Sequence, residues 1–305
     1  MNQYGKFKER LVEYCGQENV ILNEPMSKHT CFKVGGPADI LVTPSTPDEV
    51  AKIIAVCREN NISYLVIGNG SNILIKDGGI DGVVIKLEKM NKIEVNGNEI
   101  KADCGAMLKD VSKKAVENSL TGAEFSCGIP GSIGGAVFMN AGAYNGEMSH
   151  IMKSAEVLDE DGNIIILDKD KLELDYRSSA IMKYGYIVLT ATVALEKAET
   201  SKIIDRVNDL TKKREDKQPL EYASAGSTFK RPEGYFAGKL IQDSGLKGFG
   251  IGGACVSEKH SGFVINKGGA TAKDILDVIK HVQDTVKENF GVDLHTEVRI
   301  IGKDK

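Results

Sequence analysis

Apolar positions in this chain fall in short runs broken by glycine-rich or polar stretches, and their period changes along its length. Asp39 to Thr43 reads as a short strand. Thr46-Pro47-Asp48-Glu49 then carries a capping-box pattern with proline at the first helical position. Val50, Ile53, Ile54 and Cys57 follow at helical spacing. Tyr64 to Ile67 is a buried-strand run that ends in Gly68-Asn69-Gly70-Ser71-Asn72, with further short strands at Ile73 to Ile75 and Val83 to Ile85. This first region is a small α/β unit.

The texture then shifts. Lys92 to Val95 and Glu99 to Ala102 flank Asn96-Gly97-Asn98, a hairpin signal, and Asp161-Gly162 lies between the runs Ala155 to Leu158 and Ile164 to Leu167 in the same way. Leu108, Val111 and Ala115 line a helix, and Tyr186 to Leu195 is a long β-rich run, so the middle region is α+β. Ile203, Ile204, Val207 and Leu210 open a helix that runs into Lys212-Lys213-Arg214 and stops before Pro219. Thr271 to Asn289 forms an amphipathic helix with Ile275, Leu276, Ile279, Val282 and Val286 on one face and Gly291 as its left-handed stop. Glu297 to Ile301 reads as a last strand. There is no internal repeat and no low-complexity tract.

Composition narrows the classes. With 305 residues the prior is two or three domains. A net charge of −4 disfavours a broad grip on nucleic acid, which needs an extended basic surface. No apolar run approaches membrane-spanning length, and Met1 to Glu13 lacks the apolar core of a secretion signal, so the expected compartment is the cytoplasm. The six cysteines include no Cys-x-x-Cys pair, which fits free, mostly buried thiols. No histidine set matches a metal motif, and no metal is expected. No obligatory protein partner is evident.

The candidate chemistry sits in the glycine-rich breaks. Backbone amides of Gly68 to Asn72 can converge on an anion, with Ser71 and Asn72 adding side-chain donors; Ile73 stands where a dinucleotide fingerprint needs its third glycine, and a tight turn explains the loop about as well. Gly128-Ile129-Pro130-Gly131-Ser132-Ile133-Gly134-Gly135 is a second such loop, ahead of a helical run from Val137 to Ala141. Two amide-rich loops suit a two-phosphate cofactor. Gly234 to Leu240 lacks the spacing and hydroxyl of a Walker A loop, and no G-x-S-x-G elbow is present, which excludes both readings. Lys212, Lys213, Arg214, Lys217, Lys230 and Arg231 concentrate cations in an acidic chain, either as a solvated face or as a lure for a polyanionic substrate.

Taken together, the segments from His29-Thr30-Cys31-Phe32-Lys33-Val34-Gly35-Gly36-Pro37-Ala38 to His295-Thr296-Glu297-Val298 resemble the UDP-N-acetylenolpyruvoylglucosamine reductase family, over nearly the whole chain. The length and the lack of an extra tyrosine-bearing segment resemble its shorter, type II branch. The resemblance implies an α+β, three-domain flavoprotein with a vanillyl-alcohol-oxidase/p-cresol-methylhydroxylase-type FAD-binding fold and a C-terminal α/β substrate-binding domain. The expected divisions are 1–90, joined by about 293–305, then 91–200 for FAD and 201–292 for substrate. It implies noncovalent FAD held by Gly68, Asn69, Gly70, Ser71, Asn72, Gly131, Ser132, Ile133, Gly134 and Gly135. NADPH would be the hydride donor and UDP-N-acetylglucosamine enolpyruvate the substrate, reduced to UDP-N-acetylmuramate. The implied catalytic trio is Arg177, Ser227 and Glu297, with Ser227 as proton donor and Glu297 either an acid or an orienting group. Tyr144, Arg214, Lys230 and Arg231 are the implied substrate contacts. The family usually has asparagine where Arg231 stands, which bears on a substrate contact. The rival readings are a flavin oxidase of the same fold and a non-enzymatic nucleotide-sugar binding module.

Overall fold

A computed structural model describes residues 5–305; Met1 to Tyr4, part of the polar start, lie outside the described residues. Helices and strands alternate in a mixed α+β order, grouped into two compact units. One unit gathers the described residues up to Leu22 with Ile40–Asn69 and Gly82–Arg214; the other gathers Asn23–Asp39, Gly70–Asp81 and Glu215–Lys305.

In the first unit the helix Pro47–Glu59 starts as its sequence dictates. Thr46 Oγ1 accepts the Glu49 N–H at 3.2 Å, and Pro47 occupies the first helical position. The Glu49 carboxylate takes the N–H of Ser45 at 2.7 Å, one residue upstream of the usual capping-box return. Strand Tyr64–Ile67 pairs in parallel with the strand Ile80–Lys86, from Tyr64 opposite Val83 to Ile67 opposite Lys86. Both belong to a four-stranded sheet with Val20–Pro25 and Pro37–Val42. The middle region forms a five-stranded antiparallel sheet in spatial order Ile164–Asp168, Met152–Leu158, Ile187–Ala194, Glu99–Asp103, Ile93–Asn96. Gly97, at φ 61°, opens the two-residue turn between the paired Asn96 and Glu99. One apolar core joins the helix residues Ile53 and Ile54 to Val83, Ile85, Ile100, Val157 and Val193.

In the second unit the helix Ala272–Phe290 buries Ile275, Val278, Ile279, Val282 and Val286. It packs on a three-stranded antiparallel sheet, Gly250–Ile251, Ala254–Val256 and Val264–Asn266. Its N-terminus is fully supplied with acceptors. Thr271 and Asp274 form a reciprocal capping box, and the Asp77 carboxylate takes the amides of Ala272 and Lys273 at 2.9 Å each. Gly291 closes the helix at φ 71°. The chain end returns to pair in parallel with Ile73–Ile75, Arg299 opposite Ile73 and Ile301 opposite Ile75.

Two local expectations shift. The helix after the second glycine loop begins at Ile133, directly behind its cap Ser132, and ends at Met139. The last strand is Arg299–Ile301, so Glu297 lies two residues before it in connecting backbone, because its main-chain groups bond elsewhere. Thr271→Ala removes one arm of the capping box and is expected to lower unfolding free energy by about 1 kcal/mol, read from urea denaturation monitored by circular dichroism.

Candidate active site

In the first unit the two glycine loops meet. Asn69 Nδ2 donates to the carbonyl of Pro130 at 2.6 Å. A Cβ on Gly68 would overlap Ser132 Oγ, so a larger residue there would push the Ser132 hydroxyl off its capping position. Ser132 is buried and caps the short helix behind it, accepting the Gly135 N–H. The amides of Ile133 and Gly134 are spent on the carbonyls of Ala106 and Cys104, at 2.8 and 2.9 Å. Those two amides therefore fix the shape of the turn, with Gly131 and Ser132 buried beside them and Gly135 exposed.

Arg177 stands on a tight turn in the same unit. Asp175 and Ser178 exchange backbone hydrogen bonds at 3.1 Å, which leaves Arg177 in the left-handed region at φ 51°. Its guanidinium donates to the carbonyls of Asn140 at 3.3 Å and Gly142 at 3.4 Å, beside the Tyr176 ring. Asn140 is the organiser, and sequence reading missed it. Fully buried and itself left-handed, it ends the helix Ile133–Met139. Its amide donates to the Glu147 carboxylate and the Asp175 carbonyl at 3.1 Å each, and its oxygen accepts the Ser149 N–H at 2.9 Å. Only its place just after an apolar helical run, where asparagine tolerates a left-handed cap, signals this role.

Tyr144 and Asn145, at φ 51° and 65°, form a two-residue turn between Gly142–Ala143 and Gly146–Glu147. A left-handed tyrosine is strained, and Asn140, Tyr144, Asn145 and Arg177 are four of the nine non-glycine residues with positive φ among the described residues. Arg214 shares that neighbourhood. It continues the Ile203, Val207, Leu210 face of the helix Thr200–Lys217, which is why it is half-buried. Burial draws its pKa below the usual arginine range, with Tyr144 and Cys127 opposing; burial likewise raises the Tyr144 hydroxyl, opposed by Arg214. Gly128 is the contact residue: a Cβ there would lie 2.7 Å from Arg214 Cδ.

In the second unit Gly70, at φ 64°, rests on the turn at His29 to Cys31. A Cβ on it would overlap the His29 carbonyl, and the Cys31 N–H donates to its oxygen at 3.0 Å. Ser227 is exposed between Gly226, at φ 75°, and Thr228, which is fully buried. Thr228 is pinned four ways. Its N–H donates to Gly262 O at 2.9 Å, its hydroxyl accepts from Val264 at 2.9 Å, and its carbonyl accepts the N–H groups of Glu297 at 2.9 Å and Val298 at 3.5 Å. Lys230 N–H donates to His295 O at 2.8 Å, extending the contact. Asn72 Nδ2 donates to the Glu297 carbonyl at 3.2 Å, and the Asn72 carbonyl accepts the Arg299 N–H at 3.1 Å. The serine motif, Glu297 and the end of the first glycine loop thus form one hydrogen-bonded cluster. Arg231 stacks on Phe236, 4.0 Å from its centroid, with Nε donating to Tyr235 O at 3.3 Å.

The structure therefore brings Ser227 together with Glu297, Gly68 and Asn69 with the Pro130–Ser132 turn, and Tyr144 with Arg214. No group of three or more His, Cys, Asp or Glu side chains suited to a metal ion occurs among the described residues. None of their helices is long and apolar enough to cross a membrane. None of the six cysteines is disulfide-bonded; burial pushes the thiols of Cys57 and Cys104 up to about 12.

Comparison with known proteins gives a consistent picture. Residues 38–168 match the FAD binding domain family, and residues 218–301 match the UDP-N-acetylenolpyruvoylglucosamine reductase C-terminal domain family. The chain is 67% identical over 304 residues to the UDP-N-acetylenolpyruvoylglucosamine reductase of Clostridium perfringens strain 13, covering 100% of each chain. It is 62% identical to that of Clostridium beijerinckii, again over 100% of both. Among solved structures, the UDP-N-acetylenolpyruvylglucosamine reductase of Thermus caldophilus superposes with a TM-score of 0.79 at 33% identity, over 92% of this chain and 97% of that one. The fold also resembles p-cresol methylhydroxylase, with a TM-score of 0.58 at 13% identity over 94% and 88% of the two chains.

Asn140→Ala would leave the Ser149 N–H without its acceptor, take one donor each from the Glu147 carboxylate and the Asp175 carbonyl, and open a gap at a fully buried site. A loss of roughly 2–4 kcal/mol in unfolding free energy is expected, measured by chemical denaturation.

Proposed function

The chain belongs to the UDP-N-acetylenolpyruvoylglucosamine reductase family, and from that premise we propose that it reduces UDP-N-acetylglucosamine enolpyruvate to UDP-N-acetylmuramate with NADPH, protonating the product from Ser227. The observation that carries this reading is the cluster in the second unit: an exposed serine hydroxyl beside a pinned Thr228 whose carbonyl holds the Glu297 amide.

Noncovalent FAD fits the residues present, since the two glycine loops lie against each other through the Asn69 to Pro130 hydrogen bond and the Gly68–Ser132 approach. Gly68, Asn69, Gly70, Ser71 and Asn72 with Gly131, Ser132, Ile133, Gly134 and Gly135 would hold its diphosphate, the first loop through amides suited to an anion and the second by its shape, since the amides of Ile133, Gly134 and Gly135 are bonded within the protein. When bound, FAD supplies the relay of a hydride from NADPH to the enol ether. The chain's own residues do the rest. Arg177, its fork held by the Asn140 and Gly142 carbonyls, offers a planar cation to the carboxylate as charge develops there. Ser227 delivers a proton to the resulting carbanion; a serine hydroxyl is a weak acid and serves only because that intermediate is very basic. Glu297 acts as an acid or orients its neighbour. Tyr144, Arg214, Lys230 and Arg231 receive the UDP diphosphate, and the half-burial of Arg214 strengthens such pairing by excluding water. The three-part division of labour along 1–90, 91–200 and 201–292, and a cytoplasmic setting, belong to the same proposal.

The deciding measurement is the visible spectrum of the purified protein, first as isolated, then after anaerobic NADPH, then after substrate. A flavin band that NADPH bleaches and the enolpyruvyl substrate restores is expected; protein that takes up no FAD overturns the reading. Ser227→Ala is expected to slow product formation by roughly 10²–10⁴-fold while flavin bleaching by NADPH persists, seen by stopped flow. Arg177→Ala is expected to cost on the order of 10²–10³-fold in reoxidation by the substrate.

A further inference from the structure

The side-chain amide of Asn72 is committed. Its Nδ2 donates to the carbonyl of Glu297 at 3.2 Å, while its main-chain carbonyl accepts the N–H of Arg299 at 3.1 Å. The parallel ladder between Ile73–Ile75 and Arg299–Ile301 starts at the Ile73–Arg299 pair. Just ahead of it, the Asn72 side chain supplies a rung that the backbone no longer provides. On the other face of the same residue, the Glu297 N–H is taken by Thr228 O at 2.9 Å. Both main-chain polar groups of Glu297 are thus fixed, one by the residue after Ser227 and the other by the last residue of the Gly68–Asn72 loop. The Thr228 link is backbone to backbone and survives side-chain substitution; the Asn72 link does not.

We propose that Asn72 is a positioning residue for Glu297, tying the arrangement of the Gly68–Asn72 loop to the placement of the carboxylate that serves the second half of the reaction. This rests on the function proposed above, in which that loop holds FAD and Glu297 assists reduction of the enolpyruvyl group. Asn72 acts through Glu297 and is not itself a catalytic residue. Its removal frees the Glu297 carbonyl and lets the backbone between Thr228 and Arg299 drift, and displacements of about 1 Å at a reacting group cost up to about 10²-fold.

The test is a double-mutant cycle on the FAD-loaded enzyme, with flavin reduction by NADPH and flavin reoxidation by the enolpyruvyl substrate followed separately by stopped flow. Asn72→Ala should slow reoxidation by roughly 10–100-fold, and more than it slows reduction. In a Glu297→Ala background the same substitution should cost less than about twofold, because a residue that acts through another has nothing left to position. An equal cost in both backgrounds, or an equal slowing of both half-reactions, overturns the proposal. Asn72→Ser, too short to reach the carbonyl, replaces the alanine variant if that one does not fold. Hydrogen exchange on the unmodified protein provides a readout independent of turnover. Adding FAD should slow exchange at the amides of Glu297 to Arg299, and unchanged exchange there with FAD bound overturns the proposal. Wild-type protein that takes up no flavin would instead overturn the function on which it rests.

Discussion

Glu297 is gripped by its backbone before its side chain does anything. Its N–H bonds to Thr228 O and its carbonyl to the Asn72 amide, so a residue in connecting chain is held as firmly as one in a ladder. Both partners are themselves immobilised. Thr228 is fully buried with its hydroxyl and its amide also bonded, and Asn72 leads directly into the strand Ile73–Ile75. Buried polar groups that are all satisfied rigidify their surroundings, whereas one missing partner leaves a costly orphan. Ser227 inherits its position from this arrangement without contributing to it, which leaves its hydroxyl exposed.

The first unit solves the corresponding problem by another route. Arg177 sits in a conformation that a long side chain rarely adopts, and Tyr144 sits in one that a bulky side chain resists. What offsets this strain is Asn140, whose amide spends both donors and its acceptor on two separate segments, Glu147–Ser149 and Asp175. Glycine does complementary work at Gly128, which lets Arg214 lie against the loop. Strain and close approach are gathered around Asn140, Tyr144, Arg177 and Arg214, and the surrounding core of aliphatic residues absorbs the cost.

Much of this was legible in the chain itself. The helix at Pro47 and the helix at Ala272 announce themselves by cap residues and spacing, because capping is local chemistry. Gly68 and Gly70 were marked by composition, and their tight contacts explain it. The assignments to Arg177, Ser227 and Glu297 came from resemblance, since an arginine in a turn and a glutamate near the chain end carry no local signal. Asn140 and Thr228 stayed invisible because their partners are distant in sequence: Asp175 lies 35 residues from Asn140 and Val264 lies 36 from Thr228. The last strand starts two residues later than the β-rich run ending in Val298-Arg299-Ile300-Ile301 suggests, because the amides of Glu297 and Val298 are taken by Thr228 O.

The carboxylate of Asp77 that caps Ala272 reaches across 195 positions of chain. The unit it belongs to is assembled from Asn23–Asp39, Gly70–Asp81 and Glu215–Lys305, and its closing strand is Arg299–Ile301. Its core closes only when distant stretches of chain meet: Phe32, Val34 and Leu74 share it with Ile275, Val282 and Val298. Long-range pairing of this kind folds slowly and keeps apolar surface uncovered meanwhile. The contacts that hold Ser227 and Glu297 together therefore belong to this slow, long-range assembly and not to any local segment.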